Sequence, residues 1–471
     1  LNKSEHWATA VKKSQASSLL VARARRGYAA LRASGSRLKR RAWKFTAGGA
    51  WTDHVSHPIR RNLRWFWFDG LFANASDSIV LTYLPLFLLA LGATSAQIGL
   101  TDALTNLSAA LILLPSAALV ERRGHRKQLT VLTGGGAGRA VLLLMALVPL
   151  AFSGPVVIYA VIALAIARNI FGYMGLPAWT SLTADIIPLS WRGRYFSSRN
   201  IAMGVAGLVT ALLVGQLISH IGEPIGYQLA LGLAFAIGAI STFSFYHIRE
   251  PAMPVPGIKK GEARSLGFKQ LRAHPAFLTF CATAALWSFS LKVAAPFFSP
   301  YQVQILGATP AIIGVLSIIA PLTALPGQRL FGTLADRWGP RWVQMVLGLL
   351  IPLLPLGWVL THSPWHAIPL NLLSGFLWAG YNLANFNLLL ELTPQDLRPR
   401  YTALYQIIVT IALAGGAAFG SAVLELVSAA HTEAWGYYAV FILSGCGRLA
   451  AALLFALVGR RATSPHAAAK P

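Results

Sequence analysis

Between two long apolar runs, residues 332–341 read GTLADRWGPR, a polar turn with an acid, two arginines and two glycines in a chain that is otherwise 55% apolar and only 12% charged. A turn of similar make, AALVERRGHRK, occupies 117–127. On either side of both turns, apolar stretches of about 20 residues recur, the length of helix that crosses a hydrocarbon layer roughly 30 Å thick. Twelve can be marked, near 66–91, 97–120, 129–152, 155–183, 198–220, 226–248, 275–300, 310–331, 342–361, 366–390, 403–428 and 436–459. Runs such as AVLLLMALVPLAF and AALLFALVG do not alternate, which excludes the short strands of a membrane β-barrel. The expectation is an all-α integral membrane protein with 12 transmembrane helices.

The two turns belong to an internal repeat. LGATSAQIGL at 91–100 lies over LGATPAIIGV at 306–315, an offset of 215 that also sets Glu121-Arg122-Arg123-Gly124 over Asp336-Arg337-Trp338-Gly339. Farther on, DIIPLSWRGRY at 185–195 matches ELTPQDLRPRY at 391–401, at an offset of 206. The chain therefore divides into an amino-terminal basic arm (1–62), a six-helix bundle (63–248), a polar central loop (249–274), a second six-helix bundle (275–459) and a tail (460–471). Duplicated bundles of this kind build transporters, with the binding site near the midplane between the repeats; a merely structural duplication is the alternative.

A net charge of +25 could suggest nucleic acid, but its placement points elsewhere. With an even number of helices both termini share one side, and nearly all Lys and Arg collect there. The opposite loops, near 92–96, 152–154, 221–225, 301–309, 362–365 and 429–435, have none. The positive-inside rule makes both termini cytoplasmic, in the plasma (inner) membrane. The arm, VKKSQASSLLVARARRGYAALRASGSRLKRRAWKF, reads as an amphipathic helix on anionic lipid, as a solvated basic tail, or as a transit-like segment. Cys281 and Cys446 lie in apolar segments and make no disulfide or metal pattern.

The turn resembles the loop signature of the major facilitator superfamily, close to G-x-x-x-D-R-x-G-x-R, found after the second helix of each half. Gly332, Asp336, Arg337, Gly339 and Arg341 meet it in the second half; in the first, Ala117 and Glu121 replace glycine and aspartate while Arg122, Gly124, Arg126 and Lys127 remain. The resemblance covers about 63–459. It implies two pseudo-symmetric bundles, alternating access, and a loop acting as a conformational latch. Arg168, Gly172 and Gly175 resemble a second, less specific motif in the fourth helix, and the Gly-Pro pair that resembles a mark of drug and proton antiporters is missing from the fifth.

A charge in mid-membrane costs roughly 2.5–3.5 kcal/mol on insertion scales, so charged residues inside the spans should face water or each other. Asp77, Arg139, Arg168, Lys292 and Arg448 lie well inside, with Asp102 and Glu425 nearer one end. Asp77 shifted by 215 falls on Lys292, which suggests a charge pair across the pseudo-twofold axis, either a switchable lock or a static bridge. Asp77 is also the expected proton carrier, because an apolar cavity favours the protonated carboxyl while nearby cations oppose it. Arg168 is the second candidate for coupling or anion binding, and Arg139, after GGGAG, reads as structural. Asn74, Trp287, Tyr381, Asn382 and Asn385 gather at similar depth as candidate ligand contacts. Arg199 and Tyr405 read as gate or anchor at the cytoplasmic mouth.

Three functions follow. The first is a secondary transporter of a small organic solute, driven by protons or exchange, with the surplus of positive charge pointing to an anion. The second is an exporter of hydrophobic or cationic compounds, and the third a membrane scaffold on the same fold. No nucleotide loop, nucleophile motif or metal cluster suggests an enzyme or a bound cofactor. The expected partners are the small solute and the bilayer, with no nucleic acid, and the expected unit is a monomer.

Overall fold

The computed structural model describes residues 55–188, 191–250, 274–393 and 398–459. Most of the arm, the central loop and the tail expected from the sequence lie outside them. Helices, and no strands, fill the described residues. Eleven are long and apolar enough to span a membrane: α1 His57–Ala90, α2 Ser95–Val120, α3 Arg126–Ala151, α4 Pro155–Ile186, α5 Arg194–Ile221, α6 Ile225–Tyr246, α7 Pro275–Gln304, α8 Pro310–Trp338, α9 Pro340–Val359, α11 Tyr401–Ala430 and α12 Glu433–Ala456. The twelfth span is α10, Ala367–Glu391, whose Asn371, Asn382, Asn385 and Asn387 lower its hydropathy. The first helix begins at His57, ahead of the start near 66 expected from the apolar run.

The repeat is visible in how helices pair. In the first bundle α1 packs on α5 and α6, and α2 on α4; in the second α7 packs on α11 and α12, and α8 on α10. Between bundles the contacts are α2 with α11 and α5 with α8, which exchange under the same twofold relation. The duplicated LGAT stretch is a helix junction made twice. Gly92 and Gly307, at φ +90° and +67°, end α1 and α7 in a conformation that favours glycine. The threonine two residues later then caps the next helix: Thr94 Oγ1 accepts from Gln97 N at 3.2 Å and Thr309 Oγ1 from Ile312 N at 3.4 Å.

Several spans are not continuous α-helix. Pro296 divides α7 by a 3-10 turn at Ala295–Phe297, and Pro352 falls at the break in α9, as expected where an amide donor is missing. In α3 the glycine run instead widens the helix to a π-turn over Val131–Ala137, VLTGGGA. The small residues admit α6 there: Thr242 Oγ1 donates to Gly135 O at 3.0 Å.

Both termini of the described chain lie at one end of the bundles, and the loops near 92–94 and 305–309 at the other, here the far end. Among the described residues, every hydrogen bond between bundles lies toward the far end. Ser95 Oγ lies 2.8 Å from Gln304 Oε1 and 2.5 Å from the Tyr437 hydroxyl, which itself reaches Gln304 Oε1, so the two hydroxyl protons are shared among three close contacts. Ala311 N donates to Ser219 Oγ at 3.0 Å. Among the described residues, the bundles are therefore joined by hydrogen bonds at the far end.

Candidate functional site

Asp77 sits in mid-α1, and its carboxylate is held inside its own bundle. Arg139 Nη1 from α3 lies 2.7 Å from Oδ1, and Arg168 Nη2 from α4 lies 2.6 Å from the same oxygen. Arg139 also donates to Ser76 Oγ at 2.9 Å, and Ser76 passes a bond on to Ala234 O of α6 at 2.6 Å. Arg139 is buried, whereas the Asp77 side chain is 50% exposed. Two guanidiniums on one carboxylate leave a surplus positive charge beside an open carboxylate edge, an arrangement that can accept a second anion.

The pairing of Asp77 with Lys292 expected from the repeat does not form. Lys292 Nζ instead lies 2.8 Å from Asp102 Oδ2. Equivalent depth in α1 and α7 is not proximity: α3 and α4 reach Asp77 first, and α2, which packs across to the other bundle, brings Asp102 to α7. The expected idea of a charge pair between bundles survives with a different acid. Arg139, expected to be structural, and Arg168, expected to couple or bind, hold the same carboxylate oxygen.

The other candidates divide between scaffolding and a separate cavity. Asn74 donates to Met203 O of α5 at 2.7 Å and ties two helices. Asn382 is exposed and has no hydrogen bond among the described residues. Asn385 Nδ2 donates to the Tyr405 hydroxyl at 2.9 Å, joining α10 to α11. Trp287 stacks on Tyr381 with centroids 4.5 Å apart and planes 16° from parallel. These two rings, with Asn385, Gln344, Ala451 and Ala452, line a cavity of ≈ 10 Å³ inside the second bundle, away from Asp77. Arg448 of α12 is 2% exposed, and its Nη2 reaches Leu291 O at only 3.5 Å.

A buried cluster missed in the sequence lies nearer the terminal end. Asp69, 7% exposed, accepts from Ser241 Oγ at 2.8 Å and faces Arg199 Nη2 at 3.5 Å. Arg199 also donates Nε to Phe66 O at 3.1 Å and stacks its guanidinium 4.1 Å from the Phe66 ring centroid. In this structure Arg199 ties α5 to α1. An earlier helix start would have revealed Asp69, which looks like an end residue only if α1 begins near 66.

Among the described residues, the loop signature makes ion pairs in the first half. Arg126 in the first half is 1% exposed and bridges Asp185 Oδ2 at 2.5 Å, Glu250 Oε1 at 3.1 Å and Ser181 Oγ at 3.0 Å. Gly124 turns the chain at φ +67°, and Gly339 makes the equivalent turn at +82°. Glu121 and Arg122 have side chains outside the description. In the second half Asp336 and Arg337 are exposed and Arg341 half-buried, without ion pairs among the described residues, while Gly332 sits against Leu383 of α10. The linkage expected of the signature thus exists as a clasp within the first bundle.

Two six-helix repeats around a charged, half-open centre define a transporter of small solutes rather than an enzyme. Residues 66–291 and 281–471 match the model of the Major Facilitator Superfamily, and the chain belongs to that family. The multi-drug resistance efflux pump PmrA of Streptococcus pneumoniae is 27% identical over 81% of this chain and 91% of its own. The multidrug resistance protein MdtG of Serratia proteamaculans is 24% identical over 67% of this chain and 75% of its own. Among solved structures, a mutant of the nucleoside transporter NupG superposes with a TM-score of 0.69 at 12% identity, covering 83% of this chain and 98% of that one. A bacterial homologue of the lysosomal transporter Spinster, inward-facing and unoccupied, gives 0.68 at 17% identity, covering 86% and 98%. These likenesses confirm the expected fold and the multi-pass membrane placement.

Proposed function

We propose that this protein moves a small organic anion by alternating access, with Asp77, Arg139 and Arg168 as the centre where solute or proton is exchanged. The observation that carries the reading is the single Asp77 oxygen shared by two guanidiniums, on a side chain that is half exposed. A carboxylate-bearing solute competes with Asp77 for the arginines, and a proton on Asp77 weakens its hold on both. Either event frees a cation for the other ligand, which supports exchange or proton coupling at one centre. The positive-inside pattern supports cytoplasmic termini in the plasma membrane, so the linked far end is the outer one in this reading. The basic arm then faces the anionic leaflet, and the working unit is a monomer.

A second reading, export of hydrophobic or cationic compounds, is favoured by the names of the bacterial relatives. Flux in proteoliposomes separates the two, using aromatic and aliphatic carboxylates against lipophilic cations, with and without a pH gradient. Uptake of carboxylates that is lost in Arg168→Gln supports the anion reading; flux of cations alone overturns it. A flux independent of pH in native protein and Asp77→Asn alike removes Asp77 as the proton carrier.

A further inference from the structure

Arg126, Arg139, Arg168 and Arg199 each have a carboxylate within ion-pair distance. Arg448 has none among the described residues, although only 2% of it is exposed. Its Nε is buried without a hydrogen-bond partner, and its long contact to Leu291 O satisfies little of the guanidinium. Arginine does not shed its proton inside proteins, so the charge remains. A lone buried cation is strongly disfavoured unless an anion accompanies it; a water molecule supplies hydrogen bonds but no countercharge.

The surroundings are built to receive such an ion. Trp287 Nε1, a pure donor, is also buried without a partner. Trp287 belongs to the turn of α7 that precedes Leu291, the residue Arg448 touches, so both unpaired donors fall at one level of the second bundle. Trp287, Ala451 and Ala452 line the ≈ 10 Å³ cavity; Arg448 is not in the lining but precedes the two alanines by three and four residues, one helical turn away on the same face of α12. Gln344 in the same lining has a buried Oε1 without a partner. The two ends of an amide exchange by a half-turn of its last bond, which presents Nε2–H to the cavity instead. Room for about one water-sized group suits a halide ion or the end of a carboxylate, and no larger anion.

We propose that the second bundle holds a site for a small monovalent anion, distinct from the Asp77 centre, lined by Trp287 and Gln344 and with Arg448 one helical turn away as the charge it balances. The ion supplies Arg448 with its missing countercharge and fixes α7, α9 and α12 around Tyr381. The site resides within one bundle, so it persists whichever end of the transporter is open.

The test uses the purified full chain in lipid nanodiscs and needs no transported solute, so it stands or falls apart from the transport reading. Thermal unfolding is followed in chloride, bromide and formate against gluconate, which is too large for the cavity, at equal ionic strength. The expected result is a saturable rise of the unfolding midpoint with chloride or bromide. Trp287→Phe, which keeps the ring stack and removes one donor, weakens the apparent affinity by about fivefold, the worth of one hydrogen bond. Arg448→Met abolishes the response; if that variant does not fold, Trp287→Phe and Gln344→Leu decide. Formate acting in place of halide assigns the same donors to a carboxylate end. Midpoints equal in chloride, formate and gluconate, or a response unchanged in the folded variants, overturn the site.

Discussion

Lys292 of α7 and Asp102 of α2 form an ion pair across the two bundles, with Nζ 2.8 Å from Oδ2 and the side chains 22% and 29% exposed. It lies toward the end that is joined, and parting the two bundles there would break it, so it is expected to favour the state in which that end is closed. Partial exposure screens such a pair to about 1 kcal/mol or less.

Asp102→Asn should therefore shift the balance between far-end-closed and far-end-open states by up to roughly fivefold, with little change in unfolding. Spin labels replacing Gly154 and Thr432, in far-end loops of opposite bundles, would report a larger long-distance population. The exchange Asp102→Lys with Lys292→Asp should restore the native distribution. A distribution unmoved by Asp102→Asn denies the pair this role.

Gly99 offers a steric test of the same joint. A side chain there would meet Ser421 of α11 and the Phe297 ring of α7, both in the other bundle. Gly99→Val should hold the far end apart while leaving each bundle folded. The observable is loss of alternating flux together with increased far-side labelling of a cysteine placed at Ser95.

The two arginines on Asp77 should differ in what they sustain. Arg139 is buried and also holds Ser76, so Arg139→Gln should cost about 1–3 kcal/mol of stability, discounted for the exposed Asp77 edge. Arg168→Gln should cost less than about 1 kcal/mol, because Arg139 still holds the carboxylate. Both should suppress transport. Thermal unfolding compared with flux checks the split; equal destabilisation would mean that Arg168 is as structural as Arg139.

The loop clasp should prove one-sided. Arg126→Ala releases Asp185 and Glu250, whose side chains are 41% and 25% exposed and so partly rehydrate, for a loss of about 1–3 kcal/mol. Arg341→Ala, at the equivalent position of the second half, should change stability by no more than about 0.5 kcal/mol. Denaturant midpoints of the two variants measured side by side decide it.

Most of the architecture was legible because it follows from periodicity and supply. Twelve apolar stretches, a repeated LGAT junction and a repeated polar turn are one-dimensional signals, and each corresponds to a local structure. Partner choice among charges was not legible in the same way. An offset of 215 equates Asp77 with Lys292 in depth, but the azimuth of a helix and its neighbours decide which side chains meet. Asp69 escaped notice because the polar start of α1 hides how far the helix continues toward His57. The links between Ser95, Gln304 and Tyr437 escaped it too, since polar residues at helix ends read equally well as ordinary caps.

The π-turn in α3 has a consequence beyond close packing with α6. Successive residues of an α-helix advance about 100° around its axis, and a π-turn takes in one extra residue without ending the helix. Arg139 lies two residues beyond that turn, so the glycine run sets the phase at which its guanidinium emerges. Were the same residues wound as plain α-helix, Arg139 would emerge about 100° away from Ser76 and Asp77, and deleting Gly136 as the extra residue would bring its phase back. The charge centre of the first bundle is thus encoded by a count of residues as well as by their kind.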